Sequence, residues 1–232
     1  APRAEEVIQK AIDALGGQEA MQGLKTRWMQ GRMEIPAMGL KASLESYAER
    51  PSRTRTSMSS EAIGTVGEGG DGEVFWEHSA MQGPKLKKGP ELALARREAD
   101  FDGLLNWRTW YQSVATQGAD TLDGQPAWKV LMVPKDGEPE TTWFDQASGL
   151  PAKQASIMKT DQGDIPVVAF LSDYRDVGGV KSPFHIKQSI MNGMQVIEFI
   201  TDSLRVNVDL PAGAFDPPAE VKALIEKAKA AE

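Results

Sequence analysis

The chemistry open to this chain rests on few residues. Its only histidines are His78 and His185, and no His-x-x-x-His, Gly-x-Ser-x-Gly or Walker-type spacing is present. His78 stands between Glu77 and Ser79, and Glu198 shares a strand parity with Met194, Val196 and Ile200, so a Ser-His-Glu set can be drawn on paper. A triad is defined by geometry, however, and three such common residue types can always be connected in a β protein. Glu198 reads more simply as an outward side chain. Two lone histidines among scattered carboxylates lack metal-ligand spacing, and the absence of cysteine excludes disulfides, zinc-thiolate sites and a thiol nucleophile. The sequence predicts no catalytic residue, no metal and no cofactor.

Charge and hydropathy narrow the partners. The formal net charge is -7, and the largest basic group is Lys85, Lys87 and Lys88, too small to track a phosphate backbone. Nucleic acid is not an expected partner. No apolar run approaches the ~18 residues that a membrane-spanning helix needs, so a soluble chain without a transmembrane segment is expected. At 232 residues one β domain over 1–232 suffices, and a monomer is expected. The start, Ala1-Pro2-Arg3, has no Met and fits a removed secretory signal or a trimmed chain, with the signal peptide itself absent.

The elements follow from periodicity. Ala4, Val7, Ile8, Ala11, Ile12 and Leu15 make an amphipathic helix over 4–15, stopped by Gly16-Gly17. From Lys25 the period becomes two: Met29, Met33 and Ile35 share one parity, and after a turn at Pro36 to Gly39, Leu40, Ala42, Leu44, Ser46 and Ala48 share another. Together these strands form a hairpin. Further strands are predicted over 52–60, 62–67, 73–78, 111–121, 127–133, 140–144, 152–160 and 166–174, separated by Asp-Gly, Ser-Gly and Gln-Gly turns. The last two, 179–191 and 194–206, are joined by Asn192-Gly193, the strongest short hairpin signal. Val221, Leu224, Ile225 and Ala228 stripe a helix over 218–230. About eleven antiparallel strands must curl, close or split into layers.

One segment interrupts the strands. In 81–107, Gly89-Pro90-Glu91 is a helix start, and Leu92, Leu94, Ala95, Ala99 and Phe101 supply an apolar surface. A helix this short must bury that surface, either plugging an ordinary core or acting as a lid over a cavity. Arg50 has the parity of Leu40 and Leu44. If the strand runs to Pro51, its guanidinium points inward, to a lid group or a ligand headgroup; if the strand has ended, Arg50 is a solvated turn residue.

Three segments then carry a resemblance. Glu49-Arg50-Pro51, Asp71-Gly72-Glu73-Val74-Phe75-Trp76 and Phe215-Asp216-Pro217-Pro218-Ala219-Glu220-Val221 occur in the order seen in the LolA/LolB-like periplasmic lipoprotein carriers. The stretch from Asp173 to Phe184 is similar to one in secreted bacterial proteins related to those carriers, as is the Leu15-Gly16-Gly17 helix end. The resemblance implies a mainly β fold: an unclosed, strongly curled antiparallel barrel with a helical lid over an apolar concave face. It also implies periplasmic location and acylated cargo, lipoprotein or free lipid, taken from an inner-membrane donor to an outer-membrane acceptor. In that family the arginine of the Arg-Pro pair is tied to the lid, which is the role implied for Arg50. Leu40, Leu44, Met58, Leu92, Leu94, Phe101, Met132 and Phe170 are expected to line the cavity, with Arg50 at its polar edge. Ten Met fit either an adaptable cavity or ordinary core filling. The alternative is an interaction module of an envelope complex, with the same fold and a filled cavity.

Overall fold

The computed structural model describes residues 1–160 and 163–230. The chain opens with α1 (Ala4–Leu15) and α2 (Gly17–Gly23). Strands β1 (Thr26–Ile35), β2 (Leu40–Glu49), β3 (Arg53–Ser60), β4 (Gly64–Gly70), β5 (Phe75–Ser79) and β6 (Gly83–Leu86) follow. Then come α3 (Gly89–Ala99) and α4 (Trp107–Trp110). Strands β7 (Tyr111–Leu122), β8 (Gln125–Pro134), β9 (Glu140–Asp145), β10 (Pro151–Thr160), β11 (Gly163–Val177), β12 (Val180–Ile190) and β13 (Gln195–Val206) lead to α5 (Ala219–Lys229).

All thirteen strands form one antiparallel sheet in the order β6-β5-β4-β3-β2-β1-β13-β12-β11-β10-β9-β8-β7. The sheet is unclosed, with β6 and β7 as its edges. The first and last strands of the meander meet in the middle, where β1 pairs with β13. Helix α1 touches both β7 and β12, which are five strands apart. Five strand spacings are about 24 Å in a flat sheet, more than a 12-residue helix spans, so the sheet curls around α1.

Cross-strand pairing shows which side chains share the inside of that curl. Val130 faces Thr142, Thr142 faces Gln154, and the chain of partners runs on through Ala169 and Gln188 to Ile197. Ile186 and Phe199 continue it to Met33, Ala42 and the inward set of β2. Leu44 then faces Met58, and Met58 faces Val66. The helices α1 and α3 therefore cover one and the same face. Against it α1 buries Ala4, Val7, Ile8, Ala11 and Ile12 on Val130, Met132 and Phe144, with Trp107 closing the cluster.

Two elements depart from the sequence reading. A second helix, α2, follows the Gly16-Gly17 stop, and β6 lies inside the segment read as lid, bringing the strands to thirteen. Gly16 has φ +133°, and a Cβ there would lie 2.1 Å from the Gly179 carbonyl oxygen, so only glycine lets the helix pair press on the β11–β12 turn. The Gln162 half of the Gln162-Gly163 turn signal lies outside the described residues. The C-terminal segment lies on the outer side of β3 and β5: His78 Nε2 is 2.9 Å from Glu220, Arg55 donates to the Asp216 carbonyl, Arg53 stacks on Phe215, and α5 covers β6. Edge strand β6 is thus shielded from pairing with another chain.

Candidate functional site

The inner face of β1–β4 is divided by two adjacent cross-strand rows. Leu44, Met58 and Val66 form one; one step along the strands, Ser46, Thr56 and Glu68 form the next. Apolar residues continue on the far side of the first row. Met33, Ile35 and Ala42 are buried there, with the partly buried Leu40, Ile63, Ile197 and Phe199, and Met58 of the first row, packed against them, a cluster made without any helix residue. The half-buried Ile186, Ile190 and Val167 extend this apolar wall across β12 and β11.

Polar residues lie on the near side, beneath α3. That helix is anchored on Phe75 by Leu92, Ala95 and Ala99. Between it and the sheet is a cavity of about 220 Å³, lined by Ser46, Thr54, Thr56, Glu68, Lys87 and Glu98 among others. Ser46 and Thr56 share a hydrogen bond, and Lys87 Nζ lies 2.6 Å from Glu68. Glu98 borders the cavity and is exposed, as is Glu68. The protein around it, and then the like charge of Glu68, push its carboxyl up from the usual carboxylate range.

The segment after α3 is clasped. Arg50 makes a two-pronged ion pair with Asp102, with its second contact at 2.8 Å, and donates to the carbonyls of Leu24 and Met21. Arg27 donates to the Phe101 carbonyl at 3.1 Å and stacks on the Phe101 ring, which is also 4.8 Å from the Arg50 guanidinium. A planar guanidinium suits this task because it pairs a carboxylate and stacks on an aromatic at once. Asp100 receives Asn106 and Trp110, which ties the end of α3 to α4. The structure divides the two readings of Arg50: the strand ends at Glu49 and Arg50 stands in the turn, yet its half-buried guanidinium is held by Asp102 and not by solvent.

The other residues proposed from sequence fall into groups. Leu40, Leu44 and Met58 stand on the apolar wall. Leu92 packs on Phe75, while Leu94, turned about 200° further round α3, lies outside that contact. Phe101 packs with Leu24 and Val180 under the clasp, and Met132 is core beneath α1. Phe170 is on the outer face, 38% exposed, in register with Lys153 and Lys187. Missing from the sequence reading are Asp102, whose pairing with Arg50 spans 52 residues, and the polar row. Ser46 did carry a signal, since it continues the parity of Leu44.

The outer face holds a second, open cleft of about 430 Å³, lined by Arg32, Asp173, Arg175, His185, Glu198 and Asp202 among others. His185 Nε2 is 2.9 Å from Glu198, and Ser172 Oγ is 3.4 Å from both His185 Nδ1 and the His185 carbonyl. The paper triad of Ser79, His78 and Glu198 does not assemble, because His78 is held by Glu220 and Glu198 by His185. In its place is a cross-strand ladder whose serine–histidine contact is long for a nucleophile and its base. Among the described residues no group of three or more His, Cys, Asp or Glu is placed to hold a metal ion, and no helix is long and apolar enough to cross a membrane.

The sequence matches no protein-family model and no curated protein. Solved structures do resemble it. A DUF1329 family protein from Desulfovibrio piger superposes with a TM-score of 0.64 at 13% identity, over 95% of this chain and 100% of that one. A LolA superfamily protein from Nitrosomonas europaea gives 0.60 at 12%, over 94% and 99%. A putative outer membrane lipoprotein-sorting protein domain from Vibrio parahaemolyticus gives 0.62 at 12%, over 92% and 97%. The fold is thus the LolA-like one.

Proposed function

We propose that this chain, with its LolA-like fold, is a non-catalytic periplasmic carrier or binding protein for acylated cargo, a lipoprotein's acyl chains or a free lipid. The carrying observation is the strand-only apolar wall around Met33, Ile35 and Ala42, on the concave side but without a helix of its own. An acyl chain laid along it gains ~0.8 kcal/mol per methylene removed from water, so several methylenes suffice to hold a ligand. Leu40, Leu44 and Met58 are the residues of this wall that the proposal assigns to the chain. The fastening between Arg50 and Asp102 then governs entry by holding the α3 segment down. Cargo held this way leaves for an acceptor with a comparably apolar site rather than for water, so the proposed carrier works between an inner-membrane donor and an outer-membrane acceptor.

A second reading has one observation in its favour. Met33, Ile35 and Ala42 are 7%, 9% and 4% exposed, so the wall is already closed on itself in this state. A permanently filled wall would make the chain an interaction module of an envelope complex. Native mass spectrometry of the purified protein, with organic extraction of what it releases, separates the two. The carrier reading predicts an acylated mass increment, or uptake of an offered lipopeptide, that is lost in Leu44→Asp. A ligand-free mass with no uptake would favour the filled module.

A further inference from the structure

We propose that the cargo is an amphiphile whose headgroup carries a positively charged amine, and that this headgroup sits in the polar chamber beneath α3 while its chain lies on the adjoining apolar wall. This inference rests on the carrier reading and specifies its ligand. Two observations support it.

The first is the straight boundary across three strands. The row Ser46, Thr56, Glu68 abuts the row Leu44, Met58, Val66, one pleat repeat of about 7 Å away on the same face. A ligand spanning the boundary has a polar end and an apolar end, in that order along the strands. A chamber of about 220 Å³ corresponds to roughly seven waters, room for a small headgroup and not for a chain.

The second is charge. Three ionisable side chains line the chamber: Glu68, Lys87 and Glu98. Lys87 is taken by Glu68 at 2.6 Å and is only 16% exposed, and the neighbouring Arg97 is taken by Glu140 at 3.2 Å. Glu98 has no hydrogen bond or ion pair among the described residues and is left as the acid in excess. An ammonium brings both the missing charge and donors that the chamber's oxygens can accept, whereas a phosphate or carboxylate headgroup would meet two acids and one engaged lysine.

The test uses three amphiphiles with the same chain, tetradecylamine, tetradecanol and tetradecyl phosphate, titrated into the full chain below their micellar concentrations and followed by calorimetry. The proposal predicts the amine to bind about tenfold or more tighter than the phosphate, with the alcohol between them, and Glu98→Gln to bring the amine to the alcohol's affinity. Equal affinities for all three, or an amine preference that survives Glu98→Gln, would overturn the headgroup assignment and leave the carrier reading standing. Binding of none would overturn the carrier reading and this inference with it.

Discussion

Helices α1 and α3 are of similar length, 12 and 11 residues, and lie on the same face of one sheet, yet they are held in different ways. Helix α1 presents a full stripe, and its contacts include Ile8, Ala11, Val130 and Phe144, all at most 2% exposed. Helix α3 touches the sheet through Leu92, Ala95 and Ala99 on Phe75 and through the ion pair of Arg97 with Glu140, leaves a polar cavity beneath it, and is followed by an electrostatic clasp. Dry packing loses energy with every fraction of an ångström of separation, whereas an ion pair at a segment's end releases or engages as a unit. The comparison teaches that one half of the concave side is held by dry packing and the other largely by polar contacts, which is the half that the proposed carrier would open.

The contrast can be broken by mutation. Phe144→Ala, which empties the α1 core, is expected to cost about 3–5 kcal/mol in urea denaturation. Asp102→Ala leaves Arg50 without its partner; since the pair is only 26% and 17% exposed, a loss of roughly 1–3 kcal/mol is expected. It should also raise hydrogen exchange across 89–106 far more than across 4–15. A comparable rise in both helices would remove the distinction drawn here.

Alkaline pH probes a contact that joins the two halves. The Tyr111 hydroxyl donates to Glu140, the partner of Arg97 on α3, and packs with the α1 core. Burial first, then the charge of Glu140, push this phenol above its ordinary value. The folded state therefore keeps its proton after the unfolded chain has begun to lose one, and stability falls as pH rises past about 10. Burial pushes the Tyr174 phenol up as well, so Tyr111→Phe should reduce that slope without abolishing it in urea midpoints measured from pH 9 to 11; an unchanged slope would assign it to other groups. The smallest effect is expected from Leu92→Ala, about 1 kcal/mol, because that side chain is only half-buried on Phe75.

What the sequence reveals and what it hides divide along physical lines. Period-two patterns and turn residues are local, so β1, β2 and the β12–β13 pair around Asn192-Gly193 were legible, as was α1. Strand β6, Gly-Pro-Lys-Leu, has no alternation and exists through its pairing with β5; α2 is bounded by glycines and depends on the close approach at Gly179. Arg50 was legible as a charge on an apolar parity, but Asp102 as its partner was not, because that pairing is set by tertiary structure. The chamber was hidden for the same reason. Parity placed Ser46 beside Leu44 along β2, but only cross-strand register shows that Thr56 and Glu68 extend the polar row. Register likewise turns Phe170 outward, since its parity on β11 joins it to Lys153 rather than to Gln154.

The most direct measurement is amide hydrogen exchange by mass spectrometry on the full chain, with and without a bound acylated ligand. The account predicts that residues 89–106 exchange well before residues 4–15 in the free protein, and that ligand slows 89–106 together with β1–β3 while leaving 4–15 unchanged. Equal exchange of the two helices, or a ligand that protects neither the α3 segment nor β1–β3, would contradict it.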